Sequence, residues 1–106
     1  MKILYSIAMA IYAVASISHA ASFDCSKTRT LVEETICSNT ELSALDDRMA
    51  EEYQMARGQT SDDYFAPIEK AQKAWLKVRN KCQDLACLKR AYKKRIIAIP
   101  KSYSWQ

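Results

Sequence analysis

Four cysteines, Cys25, Cys37, Cys82 and Cys87, constrain this chain of 106 residues more than any other feature in it. What they mean depends on the compartment, and the N-terminus speaks to that. Met1 and Lys2 give a minimal positive start, and Ile3 to Ser18 run without a charge. Ser18-His19-Ala20 then puts small residues at the two positions that a signal peptidase reads. The expectation is a signal peptide over residues 1–20, cut before Ala21. The apolar run is shorter than the ~20 residues that span a bilayer. Cys25 follows Phe23-Asp24 rather than the small and aliphatic residues that precede a lipid-modified cysteine. A periplasmic or secreted protein with no stable membrane anchor is expected. In an oxidising compartment, four cysteines in so short a chain read as two disulfides. Structural zinc sites pair cysteines about two to four residues apart, and Cys25 and Cys37 are far more widely spaced.

About 86 residues remain after cleavage, enough for one domain whose core is marginal without covalent help. One glycine (Gly58) and two prolines (Pro67, Pro100) leave little material for the turns of a β-sheet protein. The expected class is all-α: a small disulfide-stapled bundle, with a short first helix and three longer ones, over residues 21–100 and a tail over 101–106.

Helical signals recur along the chain. Thr30-Leu31-Val32-Glu33 has the form of a capping box, predicting a helix from Thr30 to Cys37. Ser38-Asn39-Thr40-Glu41 is a second start, after which Leu42, Leu45, Met49 and Tyr53 recur at helical spacing. Gly58 is expected to end that helix in the left-handed conformation. Pro67 belongs in a first turn, which puts the third helix start near Phe65 or Ala66. Ile68, Ala71, Trp75, Val78 and Cys82 make its apolar stripe, with Lys70, Lys73, Lys77 and Lys81 turned away from it. An unbroken helix through Cys87 would separate Cys82 and Cys87 by about 7.5 Å of rise, beyond disulfide reach. A break with Asp84 as N-cap and a fresh helix from Leu85 removes that conflict. Leu85, Leu88, Tyr92, Ile96 and Ile99 carry the last helix, and Pro100 stops it. The connectivity favoured among the three that four cysteines allow is Cys25–Cys37 with Cys82–Cys87.

Charge is unevenly placed. Residues 21–65 hold four basic and ten acidic residues, and residues 66–106 hold eleven basic and two acidic, a net of +3. One reading is mutual neutralisation of packed helices. The other is an anionic partner for Lys73, Lys77 and Lys81 on one helix with Lys89, Lys93 and Lys94 on the next. A nucleic-acid partner is not expected in an exported protein.

Residues for catalysis are sparse. His19 leaves with the signal peptide, and the cysteines are engaged. The carboxylate pairs Glu33-Glu34, Asp46-Asp47, Glu51-Glu52 and Asp62-Asp63 are sequential neighbours, which point about 100° apart on a helix, so they read as solvated faces. Trp75 reads as core, and Arg79 is expected to pair with Asp46 or Glu33. No catalytic residue, metal site or cofactor is expected, and the chain reads as a binding protein rather than an enzyme.

An ordered set of short stretches resembles the LprI-type lysozyme-inhibitor family. They are Phe23-Asp24-Cys25, Val32-Glu33 through Ile36-Cys37, and Glu41-Leu42-Ser43-Ala44-Leu45-Asp46. Gln72-Lys73-Ala74-Trp75-Leu76 with Arg79 and Cys82 follow, then Cys87-Leu88, Tyr92 and Arg95-Ile96. The resemblance implies a helical domain with two disulfides and a lysozyme as partner. Another cell-wall hydrolase or an anionic envelope glycan is the alternative. Animal lysozymes are strongly basic, so a partner at +3 would have to bind by local fit rather than long-range steering.

Overall fold

The computed structural model describes residues 22–28 and 30–101. The expected signal peptide, the cleavage point and most of the tail lie outside the described residues. Among the described residues a 3-10 turn, Cys25–Lys27, leads into four helices: α1 (Leu31–Ser38), α2 (Thr40–Gln59), α3 (Asp62–Arg79) and α4 (Leu85–Ala98). Among the described residues there is no strand.

Each helix starts on a side chain that accepts an otherwise unpaired N–H. Thr30 Oγ1 accepts from Glu33 N at 3.1 Å, and Asn39 Oδ1 from Leu42 N at 2.9 Å. Ser61 Oγ accepts from Tyr64 N at 3.3 Å, and Asp84 Oδ1 from Cys87 N at 2.8 Å. The last of these produces the expected break. Lys81 and Cys82 close a short turn on Val78 and Arg79, and α4 departs in a new direction. Cys82 and Cys87 come within 5.5 Å (Cα–Cα) and are bonded. The 3-10 turn folds back along α1, where Cys25 and Cys37 lie 5.9 Å apart and form the second bridge.

Helix α2 packs on α1, α3 and α4, and α3 packs on α4. The core between them is Ile36, Leu42, Met49, Phe65, Ile68, Trp75, Leu88, Tyr92 and Ile99, with Cys82 at the α3–α4 corner. Burying these side chains supplies the main stabilisation, on the order of 1.5–3 kcal/mol for each large apolar group. Charge follows the neutralisation reading in part: Lys89 Nζ on α4 meets Glu41 on α2 at 2.9 Å, and Lys101 lies 3.8 Å from Glu52.

The connection between α2 and α3 differs from expectation. Gly58 is not a left-handed terminator. No described residue has a positive φ, and α2 runs through Gly58 to Gln59. Thr60 closes the helix, its hydroxyl donating to the Ala56 carbonyl at 2.7 Å. Helix α3 starts at Asp62, several residues before the Phe65–Ala66 start that Pro67 suggests. Ser61 caps it, and Asp62 and Asp63 place negative charge on the positive end of its dipole. The missing N–H of Pro67 falls on an exposed side of the helix, where water can serve the Asp63 carbonyl.

Two positions of the stripe on α3 are shifted by one residue, while Ile68, Trp75 and Cys82 are buried as expected. Ala71 is exposed and Val78 is 58% exposed, whereas Gln72 and Arg79 are buried. Leu85 is likewise 44% exposed at the start of α4. Asp46, read as part of a solvated pair, is wholly buried. The polar residues won these positions because they hydrogen-bond to one another across the helices.

Candidate functional site

Three helices each bury a polar side chain in the register of their apolar seam: Asp46 between Leu42 and Met49, Gln72 and Arg79 around Trp75, and Arg95 between Tyr92 and Ile99. A buried carboxylate is costly unless it is hydrogen-bonded, and Asp46 is. Tyr92 Oη donates to Asp46 Oδ1 at 2.6 Å, and Ser22 donates from its N–H at 3.2 Å and its hydroxyl at 2.7 Å to Oδ2. Arg79 Nη1 donates to Tyr92 Oη at 3.4 Å, so Arg79 meets Asp46 through the phenol rather than directly. Its other nitrogens donate to Asn80 Oδ1 at 2.8 and 3.1 Å. The Phe23 ring centroid lies 5.6 Å from the guanidinium carbon. Burial, then the charge and hydrogen bond of Asp46, push the ionisation of Tyr92 far above its ordinary value.

A second buried set lies beside the first. Arg95 Nε donates to Gln72 Oε1 at 2.8 Å, and Gln72 Nε2 approaches the Met49 sulfur at 3.2 Å. Burial lowers the pKa of Arg95. Trp75 donates its indole N–H to the Ala91 carbonyl at 3.0 Å and meets Tyr92 edge-on at 5.1 Å, which places it in the core.

Above this polar layer, between α2 and α3, runs a groove of about 650 Å³. Met49, Ala50, Tyr53 and Leu76 line it, Phe23 stands at one end, and Glu51, Glu69 and Lys73 reach its rim. Gln72 and Arg79 form part of its floor. The chemistry on offer is that of recognition: an apolar trough with ionised edges, over a rigid hydrogen-bonded base. All four cysteines are in disulfides. No cluster of three or more His, Cys, Asp or Glu among the described residues has the geometry to hold a metal ion.

The six lysines singled out in the sequence do not converge on one spot. Lys73 and Lys77 share one outward face of α3, and Lys81 follows in the turn; all three are exposed. On α4, Lys89 is half-buried and bonded to Glu41, which Lys93 also attracts. Glu41 is held below the usual carboxylate range by that Lys89 hydrogen bond first and by the lysine charges after it. Lys93 and Lys94 are exposed, and their sequential placement turns them about 100° apart.

The family of lysozyme inhibitor LprI matches residues 24–99, from the residue before the first cysteine to the end of the core. The chain belongs to the LprI family. Proteins named Lipoprotein LprI from Mycobacterium bovis and from Mycobacterium tuberculosis are 33% identical to it over 82 residues, 74% of this chain. The chain covers 40% of the length of those relatives. No solved structure matches it. In this LprI-family domain no described helix is long and apolar enough to cross a membrane.

The stretches that carry the resemblance are the ones that build the polar layer. Asp46 closes the Glu41–Asp46 stretch, Gln72 and Arg79 lie in the Trp75 stretch, and Tyr92 and Arg95 end it. In this chain those stretches thus have a structural task, holding two bridges and a buried Asp–Tyr–Arg relay. Reading only apolar residues misses it, although Asp46 and Arg79 fall at the three- and four-residue intervals of the seams they join.

Proposed function

We propose that this chain is an exported inhibitor of lysozyme, with residues 1–20 as a removed leader, 21–100 as the binding domain and 101–106 as a tail. One observation carries the reading: the match to the lysozyme-inhibitor LprI family over residues 24–99, which takes in both disulfides and all four helices. Lysozyme acts through paired carboxylates in a cleft. An inhibitor can occupy that cleft by setting a cation beside them, and Lys73, Lys77, Lys81, Lys89, Lys93 and Lys94 supply the candidates. Lys73 and Lys77 are the favoured pair, because both are exposed on one face of α3 and Lys73 stands at the rim of the groove.

Mature protein is expected to slow lysis of cell-wall suspensions by lysozyme. Charge reversal at Lys73 and Lys77 should weaken the effect about tenfold, the loss of about 1.4 kcal/mol, without altering helix content. Unhindered lysis, together with salt-releasable retention on an anionic glycan, would refute the inhibitor reading in favour of an envelope-binding protein.

A further inference from the structure

The groove between α2 and α3 has a character that the lysine rows do not explain. Its walls are apolar, formed by Met49, Tyr53 and Leu76, while Glu51 from α2 and Glu69 from α3 stand on its rim with a single lysine, Lys73, against them. Neither carboxylate forms an ion pair with a lysine or arginine among the described residues. The charge of Glu69 is felt inside: after burial, it is the next cause that pushes up the ionisation of the Tyr53 hydroxyl. The cation in the floor, Arg79, is only 3% exposed and already held by Tyr92 and Asn80, so it offers no site to an anion.

We propose that this groove is the docking site for a cationic protein segment, a lysine or arginine flanked by apolar side chains, presented by the lysozyme that the domain inhibits. The proposal rests on the inhibitor reading for the identity of the partner, and on charge complementarity for the site. With Asp46 buried, helix α2 presents four acidic residues and two basic ones to its surroundings. Charges beyond a Debye length of ~8 Å are screened at physiological salt, so a basic partner arriving at α2 meets this local negative face rather than the positive total. The flanking apolar side chains enter the trough, whose volume of 650 Å³ lies in the range of about 300–1,000 Å³ typical of ligand clefts. The cation then comes to rest between Glu51 and Glu69. Two neighbouring sets of side chains thereby acquire separate tasks: Lys77, with Lys73 at the groove rim, faces the anionic cleft, and Glu51 and Glu69 grip the cationic flank.

The test uses the whole mature chain with two probes. In the first, binding to purified hen lysozyme is measured for wild type, for Glu51→Lys/Glu69→Lys, and for the charge-matched Glu34→Lys/Asp63→Lys on other faces. The groove variant should bind about tenfold or more weakly, with the control near wild type. Equal losses in both variants, or no loss in the groove variant while wild type binds, overturn the proposal and leave the inhibitor reading standing. In the second, a synthetic peptide alternating leucine and lysine is titrated while amide NMR shifts are followed. Shifts confined to Glu51, Tyr53, Glu69 and Leu76, absent with a leucine–glutamate peptide, support the site even if lysozyme itself is not bound. Groove shifts with a chito-oligosaccharide and none with the lysine peptide overturn it.

Discussion

Replacing Tyr92 by phenylalanine probes the relay that joins three helices. The side chain is fully buried, and its hydroxyl donates to Asp46 at 2.6 Å while accepting from Arg79 at 3.4 Å. Removing one oxygen leaves the ring packing against Trp75 intact, so the loss is that of a hydrogen bond to a buried charge, about 1.5–3 kcal/mol. The upper part of that range applies, because Asp46 keeps only the Ser22 donors. With a urea m-value of about 1 kcal/mol/M for a domain of this size, the midpoint should fall by about 2 M. A second signature comes from alkali. The folded protein holds the Tyr92 proton, its pKa being raised, whereas an unfolded tyrosine loses it near pH ~10. This stabilisation is therefore complete below that pH and is lost above it, by about 1.4 kcal/mol at pH ~11. Urea melts of wild type and Tyr92→Phe at neutral pH and at pH ~11 should show the two stabilities converging in alkali by about that amount. A midpoint shift below ~0.5 M, or parallel pH profiles, would refute the view that the relay is a stabilising buried network.

Gly58→Ala should stabilise the protein by about 0.5–1 kcal/mol, since the residue is helical and an added Cβ meets nothing within 4 Å; a lower melting temperature would contradict the helical assignment. The two bridges should differ in worth. Their cysteines are 12 and 5 residues apart, so loop entropy gives about 3 kcal/mol for Cys25–Cys37 and about 2 kcal/mol for Cys82–Cys87. Paired cysteine-to-alanine variants in urea melts check the order, and a larger loss from the tighter loop would show that fixing the α3–α4 corner outweighs chain entropy.

Much of the architecture is legible in the sequence because it rests on local chemistry. Thr30, Asn39 and Asp84 are cap residues whose side chains act within three residues of their own position, and the Cys82–Cys87 spacing forces a break that Asp84 then organises. What is not legible depends on partners far away in the chain. Asp46 looks solvated beside Asp47, and its burial makes sense only once Tyr92, 46 positions away, is seen to donate to it. Gln72 and Arg79 replace Ala71 and Val78 on the buried face of α3 for the same reason, their partners Arg95 and Tyr92 being on α4. Gly58 and Pro67 mislead because each allows helix breaking without requiring it, and strong caps at Ser61 and Thr60 decide the matter. The lysines are visible as a pattern, but the groove beside them forms only when α2 and α3 are laid together.

Inhibition by direct, specific contact is decided by titrating lysozyme at a concentration well above the dissociation constant. Initial rates of cell-wall lysis are measured against increasing amounts of mature, oxidised protein. The rate should fall near-linearly and reach its floor close to equimolar inhibitor, with the reduced and unfolded chain inactive in the same assay. Lysis at the full rate in a large molar excess of folded protein would contradict it.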